Sequence, residues 1–148
     1  MLLNLLIGLP MTMLCLLLQA VMVALSLRRY IDYRHGLSRP SLGSTILTLS
    51  LVMLFMLFGN FLQMSIWAGL YVVLGEFETF AQALYFSGVT FSTLGYGDLV
   101  LSPPRQLLSA LEAANGILMF GVSTAVLTAA LGDVLKHYAQ QRKTAQEP

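Results

Sequence analysis

What this sequence has least of is charge. Eight Lys and Arg and seven Asp and Glu make up 10% of 148 residues, where soluble domains carry roughly 25%. A surface so poor in charge would not stay in water, and the bilayer is the expected solvent. The net charge of +1 argues against nucleic acid or another highly charged partner. A single cysteine, Cys15, excludes an intrachain disulfide and leaves no metal-ligand spacing; it reads as a small buried or lipid-facing residue. There is no nucleophile–base pair, metal cluster or phosphate loop, so an enzyme is the weakest class, and no cofactor or small-molecule substrate is expected. No internal repeat or low-complexity tract interrupts the chain.

What is present is apolar residues, 57% of the total. Three runs are long enough to cross about 30 Å of hydrocarbon: about Leu2 to Leu27, Thr45 to Leu74, and Gln106 to Leu135. The first has no basic residue before it and two after it, the reverse of a signal peptide, and is expected to be a retained helix. It contains no Lys or Arg before Arg28, which argues against a voltage sensor.

The connections hold the charge. Arg28, Arg29, Arg34 and Arg39 follow the first run, and Lys136, Arg142 and Lys143 follow the third. Glu76, Glu78 and Asp98 lie between the second and third, with Arg105 as the cation there. Basic residues near span ends stay cytoplasmic. The N-terminus is therefore expected outside, the C-terminus in the cytoplasm and the acidic segment outside. His35 and His137 fall on the cytoplasmic side and are expected to be solvated.

The acidic segment contains Phe80 to Phe91, apolar but too short to span, which reads as re-entrant. Thr79 and Gln82 fit a capping box, so a short helix is expected from about Thr79 to Ser92. Gly95 and Gly97 mark its end, and Pro103 and Pro104 suit the first turn of the third span. Irregular backbone at membrane depth must be buried in protein or line a water path. The stretch after the short helix should therefore use its exposed carbonyls.

That stretch reads Thr93-Leu94-Gly95-Tyr96-Gly97-Asp98. In its setting, after a short helix and between two spans, it resembles the potassium channel pore family, whose filter is Thr-Val-Gly-Tyr-Gly followed by Asp. The likeness covers about Thr45 to Lys136. It implies an all-α membrane fold: three transmembrane helices, a re-entrant pore helix and a filter loop, assembled as a homotetramer around a central pore in the lipid bilayer. The implied site is a set of K⁺-binding rings at Thr93, Leu94, Gly95, Tyr96 and Gly97, with K⁺ as permeant ion, in a plasma membrane that is the inner membrane of a bacterium. Rings of carbonyls replace the ion's water, and glycine admits the dihedrals that aim consecutive carbonyls inward. Thr93 would add a hydroxyl ring. Leu94, in place of the commoner Val, and Tyr96 would turn their side chains away from the ion, Tyr96 bracing the loop. Tyr rather than Asp at position 96 favours potassium over sodium. The organisation is then an N-terminal helix over 1–28, a cytoplasmic loop over 29–44, a pore domain over 45–136 and a cytoplasmic tail over 137–148.

The same likeness places support residues around the filter. Asp98 at the outer mouth pairs with the position of Tyr85, whose hydroxyl either bonds it or merely packs. Val89 stands where many bacterial members carry a Glu, so that carboxyl pair is missing. Gly116 matches a hinge glycine; bending and close packing against the pore helix are both open. Ile117, Phe120, Thr124, Thr128 and Leu131 form a helical stripe that lines either the cavity or a helix seam. Glu112 falls off that stripe. An intramembrane carboxyl faces protein or water, so Glu112 is expected behind the filter, protonated or hydrogen-bonded through Ser87 or Thr90, or else a plain structural acid. Asn60 and Gln63, one turn apart, are expected to make amide contacts at the depth of Asn115. Two other classes stay open: a poorly selective cation channel and a non-conducting scaffold or accessory subunit. The first span's role does not follow from the residues.

Overall fold

A computed structural model describes the backbone of residues 1–35 and 42–144 and the side chains of 1–29 and 43–136. The expectations for His35, His137, Arg34, Arg39, Arg142 and Lys143 fall outside the described side chains. The described chain is all helical: α1 (Leu2–His35), α2 (Leu42–Val73), α3 (Phe80–Phe91) and α4 (Gln106–Thr144), with a 3₁₀ turn at Pro103–Arg105 leading into α4. Three apolar segments, Leu2–Arg29, Gly43–Val73 and Pro103–Lys136, are long enough to cross a membrane.

Two helices run further than the apolar pattern indicates. The loop expected over 29–44 is helical at 29–35 and 42–44, and residues 36–41 lie outside the described ones. The tail expected over 137–148 continues α4 to Thr144. Hydropathy marks where lipid ends, whereas helices end at breakers. The first after Arg28 is Gly36, and none follows Gly132 until Pro148.

Helix α3 starts as its capping signal predicts: the Thr79 hydroxyl accepts from the Gln82 N–H at 3.3 Å. It ends at Ser92, whose hydroxyl donates to the Gly88 carbonyl at 2.6 Å. At 12 residues it is about 18 Å long, roughly half a bilayer core. The start of α4 is tied to the end of α2 through Glu76, which accepts from the Ser102 N–H and hydroxyl, both at 2.7 Å, and pairs with Arg105 Nε at 3.1 Å.

The main core surrounds α3. Trp67, Ala68 and Tyr71 from α2, Ala83, Phe86 and Phe91 from α3, and Leu108 and Met119 from α4 are buried together. The Tyr71 and Phe86 rings meet edge to face at 5.3 Å. Further along, a smaller cluster of Met22, Val52, Met56 and Val126 joins α1, α2 and α4. The start of α1 lies at the α3 end of the molecule, since the Asn4 amide donates to the Pro104 carbonyl at 2.7 Å.

Candidate functional site

The segment leaving α3 has an unusual backbone. Thr93, Gly95 and Gly97 have φ of 62°, 58° and 77°, and Thr93 is the one non-glycine residue with positive φ among the described residues. Left-handed backbone thus recurs at every second residue. Alternating handedness turns successive peptide planes so that their carbonyls share one side instead of alternating as in a strand. A Cβ built on Gly95 or Gly97 meets nothing within 4 Å, so the dihedral and not crowding selects glycine there. Thr93 has no such freedom. A β-branched residue at positive φ is an outlier, held by its surroundings.

Those surroundings are the last turn of α3. The N–H groups of Thr93, Leu94 and Gly95 donate to the carbonyls of Thr90 and, for the last two, Val89, at 2.9, 3.0 and 3.3 Å. These bonds satisfy carbonyls that a helix end otherwise leaves open. They also fix the amide side of the segment toward α3.

Leu94 and Tyr96 are 59% and 67% exposed within the chain. The helices expected to brace Tyr96 are not those of its own chain. At the far end of the segment the Tyr85 hydroxyl donates to Asp98 Oδ2 at 2.7 Å, and the Leu99 N–H donates to Oδ1 at 3.0 Å. The tyrosine bond holds the Asp98 carboxyl below its ordinary range, and the same bond raises the Tyr85 phenol.

Behind the segment, Glu112 is fully buried. Its Oε2 accepts from the Tyr71 hydroxyl at 2.6 Å, and its Oε1 is hydrogen-bonded to Ser87 Oγ, which also donates to the Met64 carbonyl at 2.9 Å. The group joins α2, α3 and α4. Of the two partners expected for Glu112, Ser87 is bonded. Thr90 is not, because the second oxygen goes to Tyr71, 41 residues away in sequence. One hydroxyl hydrogen on Ser87 cannot serve both Met64 and Glu112. Every bond is supplied when Glu112 itself carries a proton.

On α4, Gly116 lies against the end of α3, where a Cβ would overlap the Phe91 carbonyl. The glycine thus permits a close approach. Ile117, Phe120, Thr124, Thr128 and Leu131 are exposed within the chain, on the face away from Glu112 and Met119. The interhelical amide contacts expected for Asn60 and Gln63 are present, with partners other than Asn115. The Gln63 amide donates to Gln19 Oε1 at 2.8 Å, and Asn60 to Ser123 Oγ at 3.4 Å. The buried Asn115 amide lies beside the Cys15 thiol of α1 instead. Depth in the bilayer indicated which residues share a layer but not that α1 supplies Gln19 to it.

The fold and this site define a multi-pass membrane protein with one re-entrant segment. A family model described as ion channel matches residues 44–133, and the chain belongs to that ion channel family, in keeping with its likeness to potassium channel pores. No match was found among curated proteins or among solved structures. Tyr71 and Gln19 escape a reading by residue type, because each depends on a neighbour distant in sequence.

Proposed function

We propose that four copies of this chain surround one axis and conduct K⁺ selectively through the carbonyls of residues 93–97. The observation that carries this reading is the alternation of left-handed backbone at Thr93, Gly95 and Gly97, with the amides of 93–95 turned to α3. The carbonyls are then free to face an ion. One chain offers one edge, and a closed ring of oxygens needs several; cyclic symmetry supplies them. The exposure of Leu94 and Tyr96 supports assembly, since neighbouring copies would cover them. Ile117, Phe120, Thr124 and Thr128 would line the cavity below the filter, and Gly116 would seat the inner helix α4 against the pore helix α3. Tyr85, Asp98 and Glu112 support the filter from outside and behind. The filter end would face outward, because Arg28, Arg29 and Lys136 gather at the other.

Purified protein in liposomes tests this. K⁺ flux should exceed Na⁺ flux by on the order of tenfold or more and be blocked by Ba²⁺, and crosslinking should stop at a tetramer. Equal fluxes would leave a poorly selective cation channel. Absence of flux in protein that remains tetrameric would leave a scaffold. Gly95→Ala, forced to φ near 58°, should abolish K⁺ flux.

A further inference from the structure

Helix α1 lies outside the matched region 44–133, yet its polar residues Asn4 and Gln19 are bonded to that region. Its buried positions are Asn4, Gly8, Cys15, Gln19, Met22 and Ser26, spaced in multiples of a helical step along one stripe. The other face, with Leu3, Leu6, Leu9, Met13 and Leu17 exposed, suits lipid. The stripe runs parallel to α4 over its length. Asn4 bonds Pro104, an offset of 100 residues. At Gly8 a Cβ would overlap Leu111, Cys15 lies beside Asn115, and Gln19 bonds Ser123 at an offset of 104. Lipid tails are as apolar as leucine, so close packing and hydrogen bonds decide which helices associate in a bilayer. Both are concentrated on this seam.

We propose that α1 is part of the gate, with Gln19 as the positioning residue that ties the lower half of α4 to α1 and α2; this rests on the ion channel reading above. Ser123 Oγ accepts from Gln19 Nε2 at 3.2 Å and from Asn60 Nδ2 at 3.4 Å, and donates to the Met119 carbonyl at 2.9 Å. Gln19 in turn accepts from Gln63 at 2.8 Å. All three amides are buried, with at most 3% exposure. The layer meets α4 about 10 Å beyond Gly116, immediately before the exposed Thr124. Sideways movement of α4 at this level either breaks the layer or carries α1 with it. Asn60 Oδ1 carries no hydrogen bond among the described residues. A hydrogen-bonded layer that α4 must break or carry along as it moves couples helix position to pore state.

The test is single-channel recording of Gln19→Met, which keeps the volume and removes the amide, of Ser123→Ala, and of the double variant. Each single change should alter open probability by about threefold or more, with unitary conductance and reversal potential unchanged. The double variant should have less effect than the product of the two singles, because they share the Gln19–Ser123 bond. Ser123→Thr, which keeps the hydroxyl, should restore wild-type gating. Wild-type open probability in both singles, or a double effect equal to the product of the two, overturns the proposal. If either variant fails to assemble, cysteines at Met22 and Val126 in a Cys15→Ala background test the same coupling. Bridging them should shift open probability and reduction should reverse it; a bridged channel that gates like the reduced one overturns the proposal. A wild-type chain that passes no ion overturns the conduction reading and this one together, whereas normal conduction with unaltered variants overturns this one alone.

Discussion

The half of the molecule around α3 and the half beyond it are held by different means. Around α3 the contacts are dense and chemically mixed. Trp67, Tyr71, Phe91, Leu108 and Met119 are fully buried alongside Glu112, Ser87 and Asn115, and rings interlock across α2 and α3. In the other half the core is Met22, Val52, Met56 and Val126, each still 4–8% exposed, plus the single amide layer at Gln19. Dense packing has few low-energy alternatives, whereas sparse packing opens at small cost. The segment over 93–98 thus rests on a frame that resists displacement, and α4 beyond Met119 is the less tightly held part.

Paired truncations test that contrast most strongly. Phe86→Ala removes a ring packed at 5.3 Å on Tyr71 and 5.1 Å on Phe77 and should cost about 4 kcal/mol, against about 1 kcal/mol for Val126→Ala. Thermal unfolding of the detergent-solubilised protein gives the comparison, and equal losses would erase it. Next comes Glu112→Ala, which strands the Tyr71 hydroxyl and leaves Ser87 with Met64 as its remaining partner, at about 3 kcal/mol. Glu112→Gln should keep most of the stability, because an amide both donates and accepts as a protonated carboxyl does. A Gln variant as damaged as the Ala variant would mean that Glu112 is charged in the folded state. Gly116→Ala follows at about 2 kcal/mol. Its methyl meets backbone at Phe91, so it should also lower channel current by displacing the end of α3.

The same contrast explains what could be read from the residues alone. The spans, the Thr79 cap and the Gly95 and Gly97 positions rest on rules local in sequence: apolar length, capping and turn chemistry. They emerge within a residue or two of their observed places, apart from helix ends set by breakers. Glu112 could be placed behind the segment by helical angle, but Tyr71 could not be named, since nothing in residue type ties positions 41 apart. The left-handed Thr93 runs against the preference of its side chain and follows from bonds made by its neighbours. The attachment of α1 left a readable trace. Asn4, Gln19 and Ser26 recur on one face of an otherwise apolar helix, and in a membrane such a stripe marks the side that meets protein.

The smallest expected effect concerns the brace at the surface, which separates the buried part of the frame from its exposed edge. Tyr85 and Asp98 are both exposed, and their bond is 2.7 Å. Hydrogen bonding to Tyr85 holds the Asp98 carboxyl down. A depressed carboxyl adds stability that is present above its ordinary pKa and fades as pH falls through the lowered value. The raised Tyr85 phenol adds stability that is present below the ordinary phenol pKa, about 10, and fades as pH rises through the raised value. The brace is therefore complete at neutral pH and fails only at the extremes. Tyr85→Phe should move the acid-side loss of current to higher pH, toward the ordinary carboxylate range, and remove the Tyr85 contribution at the alkaline side, with little change at pH 7. Current recorded against external pH reads both limbs. An unmoved acid limb would mean that the Leu99 N–H and water hold Asp98 without help from Tyr85. Support of the segment would then come from the Glu112 group alone, and the division between frame and less tightly held half would follow burial and nothing else.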